Sequence, residues 1–348
     1  HLLICLALTH WFQLNAQQKS AQRIWSGHLT PLTELSTEKY KDQEGGLYGN
    51  GENIPPENHL QAALREANKI EPLDQSGTPS SDGKIVILSI GMSNTTMEFS
   101  RFKQLAEADP KKASSVVVID GAKGARTGTA WALDGLEYLP SGEEKRLLQV
   151  LSAAGRNAEK GFGDTWTTVE KRLADGGVHA QQVQALWIKQ AEAKPASLGE
   201  FPAHARTLQK NLEAILIIAK QHYPNLRIAY LSSRIYAGYA TTPLNPEPYA
   251  YEGAFAIRWL IEDQIAGKPE LNYDSIVGPV KSPLLLWGPY LWADGETPRK
   301  ADGLVYTIQD LSEKDGTHPA DSARAKVANL LLNFLKTDPT ARSWFVAE

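Results

Sequence analysis

Two short stretches, far apart in the chain, hold side chains whose types and spacing fit nucleophilic acyl transfer. The first is Gly91-Met92-Ser93-Asn94, which closes the apolar, β-branched run Ile85-Val86-Ile87-Leu88-Ser89-Ile90. A buried strand that ends in a glycine turn presents the next side chain at its C-terminal edge, where open α/β sheets bind ligands and helix N-termini aim free N–H groups. Ser93 stands where a nucleophile would stand; the alternative is that Ser93 or Asn94 caps a helix beginning near Thr95. The second stretch is Asp315-Gly316-Thr317-His318-Pro319, ahead of Val327, Leu330, Leu331 and Phe334 at helical spacing. Asp and His three residues apart on one turn can touch, so the carboxylate can hold the imidazole tautomer while the other ring nitrogen takes a serine proton. The alternative here is a polar turn that opens the last helix.

The elements that must position these groups are legible from residue 83 onward. Apolar runs at 84–90, 115–119, 183–188, 227–231 and 284–287 read as strands. Between them lie helical patterns near 143–153, 167–173 and 254–266. A further one, 203–222, carries Leu208, Leu212, Ile215, Leu216 and Ala219 on one face. Strands alternating with helices imply an α/β domain, a parallel sheet covered on both faces with right-handed crossovers. Candidate residues then fall on one edge of that sheet: Ser93 after the first strand, Gly121 and Gly124 after the second, Gln190 after the third, Arg234 after the fourth, and Asp315 and His318 before the last helix. Such convergence supplies nucleophile, base, orienting carboxylate and N–H donors around one reacting carbon.

With these residues in place, the chain resembles the SGNH (GDSL-type) hydrolases, in which an early Gly-x-Ser carries the nucleophile and a late Asp-x-x-His carries both partners. Gly91-Met92-Ser93-Asn94 and Asp315-Gly316-Thr317-His318-Pro319 carry the likeness, which spans roughly residues 83 to 336. It implies a three-layer α/β/α sandwich with a five-stranded parallel sheet in the order 2-1-3-4-5. It also implies an oxyanion hole, for which the candidates are Ser93 and Gly124 and, as side-chain donor, Gln190. Trp187-Ile188-Lys189-Gln190 lacks the family's usual Gly-x-Asn-Asp, and Met92 stands in place of its usual Asp. The first departure leaves the side-chain donor open, and the second points to the Gln-using, sialate-acetylesterase-like branch, which the resemblance links to carbohydrate O-acetyl esterases.

The remaining features narrow the function. A net charge of −4 with no basic run argues against a nucleic-acid partner. The apolar start Leu2-Leu3-Ile4-Cys5-Leu6-Ala7-Leu8 and Leu14-Asn15-Ala16 read as a truncated secretory signal at 1–16, too short to span a bilayer, and predict a secreted or periplasmic bacterial protein. Residues 17–82, rich in Gly and Pro beyond Glu44, read as an N-terminal arm or linker with one helix near 59–67, and 83–348 as the hydrolase domain. Cys5 is the only cysteine, and the histidines outside the Asp-x-x-His show no ligand spacing, so neither metal nor other cofactor is expected. Gly121 and Gly124 make too weak a pair for a dinucleotide site.

Trp131, Tyr236, Tyr239, Tyr249, Tyr251, Trp287, Tyr290 and Trp292 crowd the expected loop edge, where sugar rings stack on aromatic faces. Asn94, Arg126, Arg234, Tyr236 and Trp292 are therefore the expected substrate contacts, with an acylated carbohydrate as substrate. Two alternatives stay open. An esterase or lipase on non-sugar esters would have an apolar pocket in place of an aromatic groove, and a carbohydrate-binding member of the fold would have lost the triad geometry.

Overall fold

In the computed structural model, which describes residues 25–156 and 163–347, the apolar runs become the strands of one sheet. Strands β3 (Ile85–Gly91), β4 (Val116–Ile119), β5 (Val183–Lys189), β6 (Ile228–Leu231) and β7 (Leu284–Trp287) pair in parallel in the order β4-β3-β5-β6-β7. Counted along the chain this is 2-1-3-4-5. Four of the five are buried at every position, which is why they read as continuous apolar runs instead of alternating ones. Lys39–Tyr40 (β1) and Gln43–Glu44 (β2) form a separate antiparallel pair.

Helices α1 (Glu57–Ala67), α2 (Ser93–Ala108), α3 (Gly128–Leu133), α4 (Glu143–Ala153), α5 (Thr165–Asp175), α6 (Ala203–His222), α7 (Tyr249–Ile265), α8 (Asp321–Thr337) and α9 (Pro339–Phe345) flank the sheet, giving three α/β/α layers. Helix α2 packs on α8, and α6 on α7. Some boundaries differ from the sequence expectation for local reasons. Helix α7 starts at Tyr249 because Glu247 Oε2 accepts the Tyr251 N–H (2.9 Å), capping the chain more than a turn earlier than the apolar pattern indicates. Asp338-Pro339 starts the unanticipated α9, with Asp338 accepting the Thr340 N–H at 2.9 Å.

The described part of the arm belongs to the main core. Leu32, Leu47, Tyr48, Ala62, Ala63 and Ala67 share one hydrophobic cluster with the sheet. His59 Nε2–H donates to the Leu285 carbonyl (2.8 Å), Trp287 Nε1–H to the Leu47 carbonyl (2.6 Å), and the Leu32 N–H to Tyr290 Oη (3.0 Å). The leader expected at 1–16 lies outside the described residues. Among those that are described, no helix is long and apolar enough to cross a membrane.

Candidate active site

Ser93 owes its position to Gly91. A Cβ on Gly91 would lie 2.4 Å from the Lys189 carbonyl oxygen and 2.2 Å from Thr95 Oγ1, so only glycine lets β3 run this close to β5 and then turn. Met92 is extended at the N-cap and makes no side-chain cap bond, and Ser93 is the first residue of α2. The first turn is then tied down by Thr95 Oγ1–H to the Lys189 carbonyl (2.6 Å) and Thr96 Oγ1–H to the Ala122 carbonyl (2.8 Å). The Ser93 hydroxyl caps nothing; it meets His318 Nε2 at 2.8 Å.

The turn carrying His318 is held equally firmly. Gly316 sits at φ +61, where a Cβ would fall 1.9 Å from the Tyr239 carbonyl oxygen, so the turn closes against the loop after β6 only with glycine there. Asp315 Oδ1 accepts the backbone N–H of Thr317 (2.9 Å) and of His318 (3.0 Å), while Oδ2 lies 2.5 Å from His318 Nδ1. Asn94 Nδ2–H donates to the Thr317 carbonyl (3.1 Å), linking this turn to α2.

Electrostatics fix the proton positions. Burial pushes the Asp315 carboxyl up, but the His318 ring and the two backbone N–H groups outweigh it and hold Asp315 at about 2, so it is ionised at neutral pH. An ionised carboxylate only accepts. Nδ1 of His318 therefore carries a hydrogen toward Asp315, and Nε2 faces the Ser93 hydroxyl. Behind α2 lies a buried ion pair, Lys189 Nζ to Glu98 Oε2 at 2.5 Å, which joins β5 to the helix that carries Ser93. Burial pushes Lys189 down to about 8 and Glu98 up, each opposed by the partner's charge.

Two backbone donors stand near the serine. Ser93 N–H is among the helix-start groups without an intrahelical acceptor. Gly124 approaches so closely that a Cβ there would be 3.9 Å from Ser93 Cβ, and its loop is anchored by the Lys123 N–H to the Gly91 carbonyl (3.0 Å). Gln190, 4% exposed, accepts the Ala191 N–H at Oε1 (3.0 Å) and donates from Nε2 to the Arg126 carbonyl (3.3 Å). Its amide nitrogen is thus held against the loop that carries Gly124, although Gln190 itself lines a small neighbouring cavity and not the one at Ser93.

Ser93 and His318 open onto a cavity of about 560 Å³, within the range that takes a small organic ligand. Asn94 and Arg234 line it, as expected; Tyr236, Trp292 and Arg126 do not. The Trp292 side chain is fully buried, with Nε1–H donating to Glu247 Oε1 (2.8 Å), and Tyr236 packs edge-on against Tyr239 and Trp292. The aromatic loops fold back over the sheet into core, a direction that composition cannot reveal. Arg126 pairs with Asp164 (2.7 Å) and ties its loop to the start of α5. The walls are instead aliphatic, from Met92, Ala125, Ala154, Pro243 and Leu244, with Arg156 and Lys194 as further cations. Arg156 and Lys194 went unnoticed in the sequence because each lies in a loop beyond an element; the one available signal for Lys194 is its place a few residues past β5, on the same edge as Ser93. Among the described residues no group of His, Cys, Asp and Glu could hold a metal ion.

No protein-family model matches this chain, and no curated protein matches it either.

Proposed function

We propose that the protein is a serine esterase acting on carboxylic esters, and the observation that carries this reading is the unbroken line Asp315–His318–Ser93 at the mouth of a cavity. Ser93 Oγ attacks the ester carbonyl carbon as its proton passes to His318 Nε2. Negative charge on the carbonyl oxygen is met by the N–H groups of Ser93 and Gly124, and Gln190, whose amide bonds the Arg126 carbonyl from outside this cavity, braces the loop that carries Gly124. The tetrahedral intermediate then breaks its bond to the alcohol oxygen, which leaves with the proton from His318. Water adds to the acyl-enzyme with His318 as base, the acid departs, and Ser93 regains its hydrogen. Asp315 stays ionised throughout and steadies the imidazolium.

An acylated carbohydrate on an exported enzyme is the substrate that the SGNH resemblance implies. The second reading, an esterase on non-sugar esters, has its own support in the aliphatic walls beside Ser93 and the burial of Tyr236 and Trp292. Turnover of acetylated xylan fragments, an aryl acetate and an aryl octanoate separates the two. For the shared chemistry, Ser93→Ala should abolish hydrolysis with an unchanged circular dichroism spectrum, and a fluorophosphonate should label Ser93 alone. Appreciable hydrolysis by folded Ser93→Ala protein would reject the assignment.

A further inference from the structure

The cavity beside Ser93 joins aliphatic walls to three cationic side chains, Arg156, Lys194 and Arg234, and among the described residues no Asp or Glu lines it. This stands out in a chain of net charge −4. Arg234 is the informative member. It is 5% exposed, and among the described residues its Nε meets no hydrogen-bond acceptor and its guanidinium makes a single long contact, Nη2 to the Thr317 carbonyl at 3.5 Å. Of the carboxylates that act on it electrostatically, Glu247 and Asp315 are hydrogen-bonded elsewhere, and Glu98 bonds Lys189 through one oxygen while the other makes no bond to Arg234. Glu98 holds Lys189, Asp315 holds His318, and Glu247 accepts from Ala237, Tyr251 and Trp292. A buried guanidinium with five N–H donors and so little to bond to is costly unless an anion completes it.

Lys194 supplies the second observation. It lies on the loop after β5 with its backbone at φ 52, and its N–H donates to the Leu244 carbonyl (2.8 Å), which places its backbone beside Leu244 at the rim. Its ammonium sits beside Gly155, where a Cβ would meet it at 3.7 Å, and no carboxylate among the described residues pairs with it. Both cations border a space with apolar walls, where a charge interaction is screened less than at an open surface.

We infer that the substrate is an amphiphilic anion, an ester whose apolar part packs on the aliphatic walls and whose carboxylate is bound by Arg234, with Lys194 and Arg156 at the rim. Guanidinium and carboxylate match as planar, bidentate partners, which is why a carboxylate is the anion named. This inference rests on the esterase reading and adds charge selectivity to it.

The test uses two pairs of esters that differ only in charge. Mono-4-nitrophenyl suberate and 4-nitrophenyl methyl suberate place the charge on the acyl side; 4-acetoxybenzoate and methyl 4-acetoxybenzoate place it on the alcohol side. In at least one pair kcat/KM should favour the anion by about tenfold at low salt, with the preference shrinking as salt rises. Lys194→Gln and Arg234→Gln should each bring the ratio toward one, and Arg234→Lys should restore part of it. Lys194 is exposed, so its variant tests the charge even if the Arg234 variants fold poorly. Equal rates within both pairs, or ratios that neither variant moves, would overturn the inference. No turnover of any of the four esters or of the acetylated xylan fragments would sink the esterase reading instead. Charge selectivity would then be decided by titrating the same esters into Ser93→Ala protein, where equal affinity for the charged and neutral members would overturn it.

Discussion

At the scale of single residues, the site depends on which atoms already have partners. Asp315 spends one oxygen on two backbone N–H groups and the other on His318, so it both shapes the turn and sets the tautomer. Asp315→Asn should keep the backbone bonds at one oxygen yet offer the ring an N–H donor, favouring the wrong tautomer. A loss in kcat on the order of 10⁴ is expected with the fold intact; a loss of only a few-fold in steady-state assays would mean that another group orients His318. For Gln190, an oxyanion role predicts that Gln190→Ala lowers kcat by roughly 10²–10³ with KM little changed. A raised KM at constant kcat would place it in ordinary substrate binding. Ser93, His318 and Asp315 were readable because a glycine turn after an apolar strand and an Asp-x-x-His turn are local patterns. That Tyr236, Trp292 and Arg126 do not line the cavity was not readable, because whether a loop side chain turns inward is decided by distant partners, Glu247 for Trp292 and Asp164 for Arg126.

At the scale of elements, α2 and β5 act as one unit behind Ser93. The Glu98–Lys189 pair is buried on both sides, so removing one partner strands the other charge. Glu98→Ala should lower unfolding free energy by about 3–5 kcal/mol, measured by urea titration, whereas a change near zero would show that Lys189 sheds its proton or reaches water without cost. The strands and long helices were legible because four strands are buried on both faces and α6 keeps its apolar stripe over many turns. Short α3 escaped notice because six residues are too few to display a period, and its start rests on one cap, Thr127 Oγ1 accepting the Ala130 N–H. The buried pair was visible only as Lys189 directly following an apolar run and Glu98 beside Phe99, which does not reveal that the two meet.

At the scale of the whole molecule, the arm and the sheet share one core. Leu32 is fully buried in the same cluster as β3 and β5. Leu32→Ala should therefore lower a single unfolding transition by about 2–5 kcal/mol, with tryptophan fluorescence and far-UV circular dichroism reporting coincident midpoints. A separate early transition confined to one probe would show that the arm unfolds as its own unit.

The 225-residue interval between Ser93 and His318 has a consequence for how the protein comes into being. Synthesis runs from the N-terminus, so Ser93, β3 and the start of α2 emerge long before the turn that supplies the base. Until α8 docks on α2, the serine is an ordinary alcohol without a proton acceptor. If Ser93 acts as proposed, a nascent chain is therefore chemically silent toward esters in its surroundings, and acquisition of fluorophosphonate reactivity would time the docking of the last helices during translation.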